Sequence, residues 1–204
     1  MTLSRDQIIE ATCNLLEAQG FHATGLNQII KESGAPKGSL YYYFPGGKEE
    51  LAAEALKRTG GLLAARIRQG LSKHADAAEA VRKFVLVIAK NAEASGFRTG
   101  GPLMTVALET ATSSPRLNAA CREAYQQLQA AFAEKLVRCG YSSARAAELA
   151  TFINAAIEGG IILSRTTHSA EPLRRVAKEL GRQLMAEAER HPAPVSPRRK
   201  TRPK

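Results

Sequence analysis

The stretch FHATGLNQIIKESGAPKGSLYYYFPGGKEEL, residues 21–51, decides the fold. It reads as two short helices joined by a tight turn and followed by the start of a longer third. Thr24 is placed to cap a helix that carries Leu26, Ile29 and Ile30 on one face. Ser33-Gly34 stops that helix, because Gly accepts the left-handed geometry of a helix C-terminus. Pro36 opens the next, where its missing N–H costs nothing. Two helices around a short Gly-containing turn are the outline of a helix-turn-helix.

The second helix, residues 37–44, carries the chemistry. At about 100° per residue, Leu40 and Phe44 lie within about 40° of each other and face the first helix. Gly38 and Tyr42 point nearly the opposite way, with Ser39 and Tyr41 on the flanks. No Asp or Glu occurs between Glu32 and Glu49, so this outward face is free of acids. A cation, hydroxyls, phenols and a Gly suit a DNA backbone and its base edges: Gly lets the duplex approach, and Lys37 and the tyrosines reach phosphate oxygens. Core packing accounts for Leu40, Phe44 and part of Tyr43, but one short helix cannot also bury Tyr41 and Tyr42.

LYYYF at 40–44, with Lys37-Gly38-Ser39 before it and Lys48 and Leu51 after it, resembles the DNA-binding signature of the TetR/AcrR family of transcriptional repressors. The resemblance implies that Lys37, Gly38, Ser39, Tyr41, Tyr42 and Tyr43 face DNA. It also implies that Thr24 and Lys48, at the starts of the flanking helices, hold phosphates. The chain departs from the family pattern in carrying Tyr43 where His is common, and Pro36 and Gly25 where Ser or Thr is frequent. Three residues, Pro45-Gly46-Gly47, separate Phe44 from Lys48 where two are usual. That variant is similar to the branch of lincomycin- and flavonoid-responsive regulators.

Two hundred and four residues suffice for one or two small domains with a real core. The net charge of +10 is unevenly spread. Residues 1–50 hold four Lys/Arg against six Asp/Glu, a net −2, while the last fourteen residues hold five Lys/Arg and no acid. The local acid-free patch is therefore a better nucleic-acid signal than the bulk charge. Cys13, Cys121 and Cys139 are odd in number and widely spaced, which argues against a disulfide framework or a zinc site. His22, His74, His168 and His191 show no ligand spacing and read as surface or loop residues. No apolar run approaches the roughly 20 residues that span a bilayer, and MTLSRDQIIE lacks a signal peptide's apolar stretch, so a cytoplasmic protein is expected.

Helical patterning continues along the chain, and an all-α protein of about nine helices is predicted. Ser4 and Gln7 read as a capping box for the first helix, with Ile8, Thr12, Leu15 and Leu16 on one face. A long helix follows from Lys48, with Gly60-Gly61 as a bend or a tolerated weak spot. Asp76, Ser114 and Ser143 are the expected starts of later helices, and Glu171-Pro172 opens the last. Three segments are expected: a helix-turn-helix domain over 1–47, a helical effector-binding and dimerisation domain over 48–190, and a disordered basic tail over 191–204.

The helix from about Ala144 to Arg165 is apolar nearly all round. It is either the core of a monomer or, with the last helix and its stripe of Leu173, Val176, Leu180 and Leu184, half of a four-helix interface with a twofold mate. A palindromic site needs a second recognition helix about 34 Å away, which favours the dimer. GGPL at 100–103, ALE at 107–109, SP-x-L at 114–117 and EGG at 158–160 also resemble the ligand-binding domain of the same branch, with Gly101 where Cys is frequent there. Candidate pocket residues are Phe97, Met104, Leu108, Phe132, Phe152, Asn154 and Ile157; each apolar one is more often plain core than pocket wall. Asn154 and Glu158 are polar on an apolar helix and suit a ligand, a dimer partner or a core polar network.

The reading is a homodimeric repressor, released from a palindromic operator in double-stranded DNA by a small hydrophobic effector, with no cofactor, metal or catalytic residues. No nucleophile–base pair or phosphate loop supports an enzyme. A helical adaptor or a redox sensor without sequence-specific DNA binding is the alternative.

Overall fold

In the computed structural model, which describes residues 2–98 and 100–190, the chain is all-helical. Nine helices follow one another among the described residues: α1 (Thr2–Gln19), α2 (Leu26–Ser33), α3 (Lys37–Tyr43), α4 (Gly47–Ser72), α5 (Ala77–Ala94), α6 (Pro102–Thr110), α7 (Pro115–Arg138), α8 (Ser143–Thr167) and α9 (Glu171–Arg190). The basic tail and His191 lie outside the described residues.

The first three helices close around Ile8, Leu16, Ile29, Leu40 and Phe44, joined by Leu51 from α4, and all six are sealed from water. Each such side chain contributes about 1.5–3 kcal/mol of burial. Gly34, with φ 64°, ends α2 in the left-handed region, as the sequence requires. Ser4 does not cap α1, because the helix already runs from Thr2. Thr24 does not cap α2 either. Gly25 holds that position, and the Thr24 hydroxyl donates to the Gly20 carbonyl at 2.6 Å.

The remaining helices form a layered bundle in which α4 packs along α7, α7 on α8, and α8 and α5 on α9. Asp76, Ser114 and Ser142 cap α5, α7 and α8 by accepting from the N–H three residues on, at 2.8, 3.2 and 3.3 Å. The cap of α8 is thus one residue earlier than Ser143. At Gly60 α4 runs on without a break, and a Cβ on that residue would lie 2.6 Å from the Ala124 Cβ. Its bareness lets α4 and α7 approach closely.

Two observations bear on the expectations about α8. By length and composition this 25-residue helix could cross a bilayer, contrary to the sequence estimate, yet 44% of its apolar window is buried within the bundle. Its partnership with α9 lies inside the monomer: Leu173, Leu180 and Leu184 are buried, and a Cβ on Gly160 would meet Leu173 at 3.0 Å. Arg145 of α8 grips Glu187 of α9 through two bonds of 2.8 and 3.2 Å. The face of α8 left outside carries Phe152, Ala155, the half-exposed Gly159 and the adjacent Ile162 and Leu163, which recur at three- and four-residue steps along the helix.

Candidate DNA-binding face and ligand site

Leu40 is fully buried and Phe44 nearly so, and these two side chains orient α3 on the domain. The opposite face is open. Lys37 and Gly38 are exposed, no atom comes within 4 Å of a Cβ on Gly38, and Tyr41 and Tyr42 are 49% and 71% exposed. Tyr43 is half-buried, its ring 5.1 Å from that of Tyr42 in an edge-on arrangement. Ser39 is half-buried, and its N–H donates to Pro36 in the first turn. A phenol as exposed as Tyr42 gives up apolar burial for nothing the monomer supplies.

The inserted Pro45-Gly46-Gly47 turn is closed by Gly47 at φ 71° and by the Glu50 carboxylate, which accepts from the Gly46 N–H at 2.6 Å. Of the two expected phosphate ligands, one is turned inward and the other lies partly exposed against its own domain. Thr24 is buried, as described. The Lys48 ammonium sits 4.2 Å from the Phe21 ring centroid and 3.5 Å from the His22 carbonyl oxygen, and desolvation lowers its pKa. Arg5 is not a free surface charge: it pairs with Glu54 at 3.1 Å and lies over Phe44.

The expected pocket residues do not converge. Leu108 is 75% exposed, Phe152 stands on the outer face of α8, and Phe132 packs edge-on against Phe84 with ring centroids 5.9 Å apart. Phe97, at φ 60°, meets the His168 ring edge-on. Asn154 and Ile157 are buried on α8. Met104 lies at the start of α6, where a Cβ on Gly101 would fall 3.3 Å from its Cε and 3.4 Å from Glu158 Oε2. The Tyr125 hydroxyl lies beside the Glu158 carboxyl, and burial raises the pKa of both groups. Tyr125 escaped the sequence reading because a lone aromatic on an amphipathic helix has no spacing that separates ligand contact from core. An open cleft of about 350 Å³ between α4 and α7 is lined by Glu50, Glu54, Lys57, Arg116 and Glu123, too charged for an apolar guest.

Helix α6 also touches the N-terminal helices. Glu109 Oε2 accepts from the N–H groups of Phe21 and His22 at 2.6 and 3.2 Å, reaching the turn after α1 because Gly20 has no Cβ. At the other end, Glu17 accepts from the Gly100 N–H at 3.2 Å. None of these pairings is visible as a motif, since their members lie more than 80 residues apart.

The thiols are quiet. Cys13 and Cys139 donate to the Ala55 and Ala75 carbonyls at 3.4 and 3.3 Å, and burial pushes Cys121 up to about 11. Burial raises the Cys13 thiol as well, so neither Cys13 nor Cys121 has the depressed pKa of a reactive thiol.

Residues 8–55 match the family model described as bacterial regulatory proteins, tetR family. Residues 77–179 match that of the C-terminal domain of LmrA/YxaF-like transcriptional regulators. Two Bacillus subtilis proteins, the HTH-type transcriptional regulator LmrA and the uncharacterized HTH-type transcriptional regulator YxaF, are each 42% identical to the chain. The matches cover 85% and 87% of this chain respectively, and 93% of each relative. The crystal structure of regulatory protein TetR from Rhodobacter sphaeroides superposes with a TM-score of 0.77 over 88% of this chain and 98% of that one, at 21% identity. That last likeness is one of fold.

Proposed function

The chain belongs to the TetR family of bacterial transcriptional regulators, and from that premise we propose that it is a cytoplasmic homodimeric repressor of a palindromic operator, released by a small apolar effector. The observation that carries the reading is the acid-free, solvent-facing side of α3, with Lys37, Gly38, Tyr41 and Tyr42 held outward by a buried Leu40–Phe44 anchor. The apolar outer face of α8 supports dimerisation, since a bare stripe of this kind on a folded monomer marks a contact surface. Residues 1–47 act as the DNA-binding unit, and residues 48–190 as the effector and dimer unit.

Glu109 supports a route between the two units. Any ligand that shifts α6 moves the acceptor holding Phe21 and His22, and with it the seat of the helix-turn-helix. Selection from a pool of random duplexes at near-physiological salt tests the proposal, with the wild type beside Tyr42→Ala. One palindrome enriched by the wild type and lost by the variant is expected. A folded dimer that enriches nothing would refute sequence-specific binding.

A further inference from the structure

We infer that Glu158 anchors a cationic nitrogen on an otherwise apolar effector, the ligand meeting it between α7, α8 and the start of α6. The inference deepens the effector reading above and rests on it. Glu158 Oε2 is sealed from solvent and accepts no hydrogen bond. Tyr125 of α7 is the polar side chain that acts on this carboxyl, its hydroxyl favouring the charged form. Oε2 is instead aimed at Gly101, where the absent Cβ would lie 3.4 Å from it, 3.3 Å from Met104 Cε and 3.6 Å from Ile161 Cγ2. The orphan oxygen therefore looks into a place bounded by a thioether, an isoleucine and bare backbone.

Among the described residues, none is found to give Glu158 a counter-charge. Burial raises the Glu158 pKa, and only the Tyr125 hydroxyl offsets it. Arg165, two turns further along α8, gives its guanidinium to the Gly100 carbonyl at 3.2 Å. From α7, Cys121 remains a thiol, and the first turn of α6 is Pro102, Leu103 and Met104. A buried carboxylate without a cation is costly, and one unbonded oxygen adds to that cost. A protonated amine satisfies both demands in one contact. A neutral donor satisfies only the hydrogen bond and leaves the charge buried.

The test compares phenylalkyl and alkyl amines with their matched alcohols, 4-phenylbutylamine against 4-phenylbutan-1-ol first. Binding to the full chain is measured by calorimetry and operator release by fluorescence anisotropy. The wild type is expected to prefer the amine by about tenfold. Glu158→Gln, which keeps the shape without the charge, is expected to lose the preference, and Glu158→Asp to retain part of it. Melting temperatures establish that each variant is folded. Equal binding of amine and alcohol by the wild type, or a preference that survives in Glu158→Gln, would overturn the inference. Alcohols that release operator where amines do not would overturn the cation anchor and leave the effector reading standing. Release by neither class across the series would overturn both.

Discussion

Tyr42 and Lys48 show how far a side chain's chemistry depends on where the backbone aims it. Both belong to a motif that resembles a DNA-contacting set, yet one is open to solvent and the other lies against Phe21 and the His22 carbonyl. Lys37→Ala is expected to weaken binding about equally on all sequences and to lower the slope of log K against log salt by about one. Tyr42→Ala is expected to cost about 1–3 kcal/mol on the selected operator and little on random DNA. Lys48→Met should leave the salt slope unchanged and lower the melting temperature instead. A slope reduced by about one in that variant would show that Lys48 reaches phosphate after all.

Bare glycines and a half-buried carboxylate fix where the apolar stripes of neighbouring elements meet. At Gly60 the α4–α7 contact is closer than any side chain allows, with Ala124 Cβ and Cα 2.6 and 2.9 Å from a hypothetical Cβ. Gly60→Ala gains about 1 kcal/mol of helix propensity. It should nonetheless destabilise the chain by about 1–3 kcal/mol net, through overpacking read as a lowered urea midpoint. At the far side of the bundle, Glu109→Ala leaves two backbone donors without their acceptor. Faster hydrogen exchange at Phe21 and His22 is expected, together with an operator affinity that no longer responds to effector. Unchanged exchange at both amides would remove Glu109 from the coupling route.

For the whole molecule, the deciding surface is the outer face of α8. Phe152 and Leu163 are 46% and 56% exposed, so replacing them leaves the monomer core intact. Phe152→Glu with Leu163→Glu is expected to give a folded monomer by sedimentation, with operator affinity down at least tenfold because two half-sites are no longer bound together. A double variant that still sediments as a dimer would place the interface elsewhere.

The helices and their order were legible in the sequence alone. Caps at Asp76 and Ser114, the left-handed stop at Gly34 and the periodic burial of Ile8, Leu16, Leu40 and Phe44 all follow from interactions within a few residues. So was the solvent-facing side of α3, because an acid-free face opposite a buried Leu–Phe pair is a local pattern. The tertiary structure decided what depends on distant partners. It buried Thr24, laid Lys48 over the Phe21 ring, put the stripe of α9 inside the monomer and left Phe152 and Leu108 at the surface. It also joined Glu109 to the turn after α1 and Glu158 to Tyr125. Periodicity states which faces of a helix are apolar. Which neighbour covers each face is set by packing between segments tens of residues apart, and no local spacing encodes that choice.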